Sequence, residues 1–516
     1  MKKIYIYALA CALTAISCQD NEWGADSATP QAPEIEIPMG AADGELLIKF
    51  VPEMSDILDQ TLTRAGGIST RSGIPSTDEV LNILGAYHFE RVFPVDPKTE
   101  KRTREAGMHL WYIVRFDKDT DLKEAARQLR KLGEISKIQS NPTIRRAYDP
   151  KKKPLYLSAS DLQHVTRTSE GLTFNDPGLK HQWHYQNTGS YDFVKEGAEA
   201  IAGADVNCGE AWKLCKGDPT IIVAVLDEGV MWNHPDLIGN MWTNEAEEIG
   251  STEDKDGNGY KGDRYGYNFV KNTGVISWTS AEDTGHGTHV AGTIAAVNGN
   301  NKGVGGIAGG DGTENSGVKI MTCQLFDGAY GCTLAAEAKA IKYAADNGAV
   351  ILQCSWGYNS PDANEALGYT PGPKDEQDWE NQYPLEKEAL DYFIHNAGSP
   401  NGVIDGGLAI FASGNEYAPS SSYPAGYSKC ISVSAIAADF TPSSYTNYGE
   451  EITLCAPGGD GDYYGTPGVA DDEFAWEGKT QGLILSTAIK NGQYAYAYME
   501  GTSMACPHVS GVAALG

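Results

Sequence analysis

TIIVAVLDEG, residues 220–229, decides the fold of this chain. The apolar run 221–226 lacks polar alternation, so it reads as a strand buried on both faces, with Asp227 at its tip. Working outward, the same texture recurs in VKIMTCQLF (318–326), AVILQCSWG (349–357), LAIFASGN (408–415) and CISVSAIA (430–437), with helical stretches between. Short apolar strands alternating with helices indicate an α/β fold, a parallel sheet covered by helices on both faces. Chemistry in such sheets belongs at the carboxyl ends of the strands.

The chain has 516 residues, a length that suggests roughly two to four domains. It is 41% hydrophobic and 21% charged, enough for a large core, with a formal net charge of -29. That acidity argues against nucleic acid or an anionic membrane surface as a partner and suits a protein dissolved outside the cell.

The first residues read as a targeting signal. Lys2 and Lys3 precede the apolar run IYIYALACALTAI (4–16), too short to span a bilayer comfortably. Residues 1–18 end in Ala15-Ile16-Ser17-Cys18, which resembles a bacterial lipobox, with Ala15 where Leu is usual. Cleavage before Cys18 and lipidation of its thiol would make an exported envelope lipoprotein, touching the membrane only through that anchor. An ordinary secretory peptide is the alternative. Residues 19–43, polar and aperiodic, read as a flexible tether.

Residues 44–146 have another texture. GELLIKFVP, AYHFERVFP, LWYIVRFD and EISKIQSNP read as strands, and MSDILDQTLTRA as a helix. DLKEAARQLRKLG sets Leu122, Ala125, Ala126, Leu129 and Leu132 on one helical face, ended by Gly133. The sum is a ferredoxin-like βαββαβ (α+β) pattern. Arg127, Arg130, Lys131, Arg145, Arg146 and Lys151 to Lys153 are concentrated late in this stretch, and could dock on an acidic neighbour or simply be solvated. Residues 147–175 read as a linker, with AYDPKKKP (147–154) a plausible processing region.

Three strings carry the chemistry: AVLDEGV around Asp227, HGTHVAGT around His286, and GTSMACPHVSG around Ser503. Acid, base and hydroxyl are what nucleophilic acyl transfer needs, because a serine hydroxyl is a poor nucleophile until an imidazole takes its proton. Strings and order resemble the subtilisin-like serine proteases (subtilases), over about residues 175–516. Glu228 stands where that family usually has Thr or Ser. His286 and His289 have helical spacing that would suit a metal pair, but no third ligand pattern accompanies them, and His289 reads as a core histidine.

The resemblance implies further roles. Asn415, after the strand LAIFASG, is similar to the family's oxyanion donor. Ser355, Trp356 and Gly357, with Ala412, Ser413 and Gly414, match segments that bind extended polypeptide substrate, and SYPAG (422–426) matches part of a side-chain pocket. Between them, residues 358–384 are an insertion that either narrows the substrate range or is a surface loop. The βαββαβ unit resembles the family's inhibitory propeptide, making residues 176–516 the catalytic domain and the protein a zymogen whose partner is its own propeptide.

STEDKDGNGYKGD (251–263) gathers Asp254, Asp256, Asn258 and Asp263 around glycines, which suits structural calcium or an ordinary turn. Asp236 in NHPDL, with NGNNKG (298–303), resembles a second family calcium site. No cofactor is implied for catalysis. Of ten cysteines, Cys208 and Cys215 lie too far apart on a helix for a bridge, whereas Cys323 and Cys332 flank a Gly-containing loop and could pair.

The expected function is therefore an exported serine endopeptidase. A peptide ligase or cyclase using the same acyl-enzyme is an alternative. The sequence stops at Gly516, 13 residues after Ser503, where family members continue, so an inactive, truncated binding protein is the other.

Overall fold

Alternate side chains of the first strand enter two different cores. In β1 (Ala41–Phe50), Leu46, Ile48 and Phe50 face the N-terminal unit's own helices, while Leu47 joins a cluster containing Leu334, Leu352 and Leu385. The strand begins within the stretch read as a tether. β2 (Ile68–Ser69), β3 (Ala86–Arg91), β4 (Trp111–Phe116) and β5 (Ile135–Pro142) complete an antiparallel sheet in the order β2-β3-β4-β1-β5. Apart from the short β2, this is the ferredoxin-like order. The helix Leu122–Leu129 is capped by Asp121, which accepts from Lys123 N and Glu124 N, and it buries Leu122, Ala125, Ala126 and Leu129 as the periodicity predicts. Two helices not read from the sequence, Pro75–Ile83 and Glu100–Glu105, also belong to this unit.

The computed structural model describes residues 41–65, 68–146, 154–157, 162, 173–191, 197–398, 404–464 and 482–516. The lipidation candidate Cys18 and Lys151 to Lys153 lie outside them. Within the stretch read as a linker, β6 (Leu155–Tyr156) forms a strand, a tertiary pairing that local sequence does not signal.

The larger sheet contains β7 (Ile222–Glu228), β8 (Gly266–Asn268), β9 (Lys319–Asp327), β10 (Tyr330–Gly331), β11 (Ile351–Cys354), β12 (Leu408–Ala412), β13 (Ile431–Ile436) and β14 (Leu454–Pro457). Its order is β10-β9-β7-β11-β12-β13-β14, with β8 beside β9, and all pairs are parallel except β10 with β9. On β7, Ala224 and Leu226 face a core closed by the helices Leu334–Asp346 and Pro384–Asn396. Val223 and Val225 face the opposite core, closed by the helices His286–Ala295 and Thr502–Ala513. Both faces are covered, as the unbroken apolar runs require. β15 (Ile484–Lys490) and β16 (Gln493–Met499) form a hairpin that pairs with β6 and packs on the His286–Ala295 helix.

The N-terminal unit meets this sheet's helices through its strands. Gln139 Oε1 accepts from Leu385 N at 2.8 Å and Asn141 Oδ1 from Ala335 N at 3.0 Å, so alternate residues of β5 satisfy open donors at two helix starts. Glu388 receives Lys49 at 2.8 Å, Lys137 at 2.9 Å and Trp111 Nε1 at 2.7 Å. On the basic helix face, Arg127 and Lys131 make local contacts. Arg127 pairs with Glu124 on its own helix, Lys131 donates to Gln128, and Arg145 is exposed. Among the described members of that set, Arg146 pairs with Glu228 of β7.

Eight cysteines among the described residues are free. Cys332 N bonds Leu325 O in the β9–β10 hairpin, which sets Cys323 two positions out of register for a bridge. The helix carrying Cys208 is a single turn, Cys208–Ala211, so Cys215 lies beyond it. Among the described residues no helix is long and apolar enough to cross a membrane.

Candidate active site

Asp227 and Glu228 close β7 at its carboxyl end, and both engage the start of the His286–Ala295 helix. The pairing register with β9 shifts between these two residues, an irregularity that re-aims consecutive side chains. Both Asp227 oxygens lie within reach of His286 Nδ1, at 2.8 and 2.9 Å, and Asp227 Oδ1 also accepts from Glu228 N at 2.6 Å. Glu228 Oε2 accepts from His286 N at 3.1 Å and from Thr284 N at 3.0 Å. Burial raises the Asp227 carboxyl above its ordinary value, and the facing imidazole works in the opposite direction. Gly287 permits the close approach: a Cβ there would lie 2.2 Å from the Glu228 carbonyl oxygen.

Ser503 stands one residue inside the helix Thr502–Ala513, which packs against the His286 helix. The N-cap Gly501 has φ 146°, a conformation that L side chains rarely adopt. Ser355 Oγ donates to the Ser503 carbonyl at 2.8 Å, and Ser503 Oγ donates to the Ser355 carbonyl at 3.3 Å. The first bond has a clear cause. Pro507 has no N–H to offer the Ser503 carbonyl four residues back, and the Ser355 hydroxyl takes its place.

Asn415 lies just beyond β12. Its Oδ1 accepts from Thr502 N and Thr502 Oγ1, each at 2.9 Å, which fixes the amide plane and turns Nδ2 away from Thr502. The expected binding segments converge here as well. Gly357 lies against Ser422 and Tyr423, Tyr358 N bonds the Tyr423 carbonyl at 2.8 Å, and Ser422 N bonds the Ser413 carbonyl at 2.9 Å. Ala412 ends β12, and Gly414 accepts from Asn447 N through its carbonyl. Trp356 is buried edge-on to Phe411, in a cluster that Ile144 of the N-terminal unit joins. The insertion is more than a surface loop: it buries Trp379, whose Nε1 donates to Glu386 at 2.5 Å, and it stacks Tyr358 on Tyr383.

Beneath Ser503, His508 Nε2 lies 2.7 Å from His184 Nδ1, and His508 Nδ1 bonds the Met504 carbonyl. Burial lowers His508 to about 4 and His184 well below its ordinary value. His289 is a core histidine, its Nε2 between the Ile484 and Ala497 carbonyls at 3.0 and 3.1 Å. It does not join His286 in a metal pair.

The acidic loop is arranged differently from its sequence spacing. Glu247, Asp256 and Asp263 bring carboxylate oxygens within 4.8 Å of one another. Asp254 instead accepts from Gly257 N and Gly259 N, and Asn258 donates to Asp263 at 3.0 Å. Those two residues shape the loop. Glu247 was not foreseen, because its approach depends on the loop's folding back rather than on local spacing. The group fits a hard cation: its donors are oxygens, Asp256 Oδ1 is shielded without a hydrogen-bond partner, and burial first, with Asp256 beside it, raises Asp263 to about 6. Asp236 belongs to no such group of carboxylates among the described residues. Asn300 Nδ2 and Val304 N donate to its two oxygens at 2.6 and 2.9 Å, and burial pushes it up to about 8.

A model of the subtilase family matches residues 218–516. The chain is similar to the halolysin of Haloferax mediterranei, 30% identical over 366 residues that cover 71% of this chain and 53% of the halolysin. It is also similar to a calcium-dependent protease of a Nostoc species, 30% identical over 349 residues covering 65% of this chain and 43% of that protein. Among solved structures, fervidolysin from Fervidobacterium pennivorans, a keratinolytic enzyme related to subtilisin, aligns with a TM-score of 0.53 at 20% identity, over 93% of this chain and 55% of that one. That likeness is one of fold. The chain spans about half the length of the halolysin and of fervidolysin.

Proposed function

The chain belongs to the subtilase family, and on that basis we propose that it is an exported serine endopeptidase that hydrolyses polypeptides through an acyl-enzyme. Ser503 attacks the scissile carbonyl while His286 takes its proton and later delivers it to the leaving amine. Asp227 holds the imidazole in one tautomer and stabilises the imidazolium. Asn415 Nδ2 and the Ser503 backbone N–H receive the oxyanion, at a helix start whose dipole favours negative charge. The observation that carries this reading is the buried Asp227–His286 pair at 2.8 Å, on a helix that packs against the helix bearing Ser503 in its first turn.

Substrate binds as an extended strand along 355–357 and 412–414, where main-chain bonds supply affinity and side-chain pockets supply preference. The βαββαβ unit acts as propeptide and inhibitor, a role supported by its capping of two helices in the protease fold. Glu247, Asp256 and Asp263 hold a structural calcium ion. When bound, the ion would offset two of the three carboxylate charges and stiffen their loop; it takes no part in the reaction. Cys18 supplies a lipid anchor to the cell envelope.

Labelling with a fluorophosphonate probe tests the activity. The processed native chain is expected to label, and Ser503→Ala is not. A folded, processed chain that resists the probe would refute the assignment.

A further inference from the structure

Asn415 is held from two sides, and the second hold comes from a buried side chain outside the strings that carry the chemistry. Thr502 bonds the Asn415 amide itself, whereas Asn447 bonds the chain on either side of it. Asn447 Oδ1 accepts from Glu416 N and Ala418 N, each at 3.0 Å. Its Nδ2 donates to the Ser413 carbonyl at 3.0 Å and to Glu416 Oε2 at 2.5 Å. Its own backbone N–H donates to the Gly414 carbonyl at 3.1 Å. The side chain is wholly buried, and one orientation of the amide satisfies both N–H donors and both oxygen acceptors around it. The bonds from Asn447 thus reach residues 413, 414, 416 and 418, which bracket Asn415. Gly414 has φ 109°, and a Cβ there would lie 2.3 Å from Asn447 Nδ2, so glycine is what lets the amide approach the turn. Tyr417 has φ 52°, a left-handed conformation that few non-glycine residues adopt, and the bonded amides of Glu416 and Ala418 flank it.

We propose that Asn447 is a positioning residue for the reaction: it fixes the 413–418 turn so that Asn415 Nδ2 stands where the oxyanion develops. The proposal rests on the endopeptidase reading above. Thr502 sets the plane of the Asn415 amide, but where that plane stands in the cleft depends on the main chain that Asn447 holds. The requirement is tight, because an oxyanion donor acts at about 2.7–3.1 Å and a misplacement of about 1 Å can cost about 10²-fold. Asn447 is itself tied to the sheet, since Ser434 Oγ, within β13, donates to its carbonyl at 2.6 Å. The chain of contacts therefore runs from the central sheet through Ser434 and Asn447 to the turn that carries the oxyanion donor.

A kinetic double-mutant cycle tests this on one fluorogenic peptide, with the parent chain, Asn447→Ala, Asn415→Leu and the two combined. Each is made as the full chain and processed by a trace of tagged parent enzyme, which is then removed. Asn447→Ala is expected to lower kcat by about 10- to 100-fold while KM stays within about threefold. Where Asn415→Leu has already removed the donor, the same change should lower kcat by less than about threefold. Ser434→Ala loosens the anchor and leaves the Asn447 amide intact, so it serves if circular dichroism shows Asn447→Ala unfolded. It should lower kcat by a smaller factor, and again where Asn415 is present. A purely structural role predicts equal losses in both backgrounds, and that result would overturn the proposal. So would a change confined to KM. If the parent cuts no peptide and Ser503 takes no fluorophosphonate, the endopeptidase reading fails and the role of Asn447 falls with it. An active, labelled parent with equal losses in the two backgrounds removes the positioning role alone.

Discussion

Ser355 and Ser503 are bonded reciprocally, each hydroxyl donating to the other's main-chain carbonyl, at 2.8 and 3.3 Å. The end of β11 is thereby tied to the helix that carries the proposed nucleophile, at the point where Pro507 breaks that helix's own ladder. Gln353 Nε2 donates to the same Ser355 hydroxyl at 2.8 Å. Ser355→Ala strands two buried polar groups and is expected to cost about 1–3 kcal/mol. Urea denaturation in a Ser503→Ala background, where self-digestion is absent, measures it; an unchanged midpoint would deny the tie any structural weight.

Asn415→Leu should lower kcat by about 10²–10³ and leave KM nearly unchanged, because an oxyanion donor acts in the transition state. Thr502→Val removes one of the two donors that orient Asn415 and should lower kcat by less. Steady-state kinetics on one peptide separates the two, and a change confined to KM would reassign Asn415 to ground-state binding.

Acid should weaken the fold through the His184–His508 pair. Unfolded histidine titrates near 6.5, while burial holds His508 at about 4, so the unfolded chain binds more protons between those values. The stability that His508 contributes as a neutral group is whole above pH 6.5 and falls away towards pH 4, with about 2 kcal/mol gone at pH 5. Denaturation of the Ser503→Ala chain and of a His508→Gln derivative at pH 5 and pH 8 isolates this share; equal pH dependence in both would remove it.

Glu386 should act with the opposite sign. Burial raises it to about 7, and burial together with the neighbouring Glu386 charge raises Glu337 well above the usual range. The folded state therefore holds a proton that the unfolded state gives up near pH 4.5, and stability is lost as pH rises from there through 7. Glu386→Gln is expected to gain on the parent at pH 8 compared with pH 5. Parallel melting curves at both pH values would contradict this.

Calcium should raise the melting temperature, and Glu247→Ala should remove most of that response. Asp254→Ala should keep it while lowering stability in calcium and chelator alike, because Asp254 bonds turn amides. Differential scanning fluorimetry distinguishes them; an identical loss in both variants would return the ligand set to the sequence spacing.

Legibility followed the range of the interactions. The strand at 222–228 and its parallel neighbours were readable because burial on both faces leaves continuous apolar runs, and the helix at 122–129 because burial on one face leaves a period. The residues of the candidate site were readable because each lies inside a local string. What escaped is tertiary. β6 exists only because β16 offers an edge, and Glu247 meets Asp256 and Asp263 only after the loop doubles back. The docking charge was misplaced for the same reason, since Arg127 finds Glu124 one turn away, whereas Lys49 and Lys137 find Glu388 more than two hundred residues on.

The strand that divides its side chains between two cores has a thermodynamic consequence. Leu47, Trp111, Ile113 and Ile144 of the N-terminal unit lie in one continuous apolar cluster with Leu334, Ile341, Leu385 and Phe393. Neither part can lose its packing without exposing the other's, and the amides that Gln139 and Asn141 satisfy would be orphaned at the same moment. Heat should therefore take the intact chain through a single cooperative transition. A calorimetric enthalpy matching the van't Hoff value would mark the two sheets as one unfolding unit.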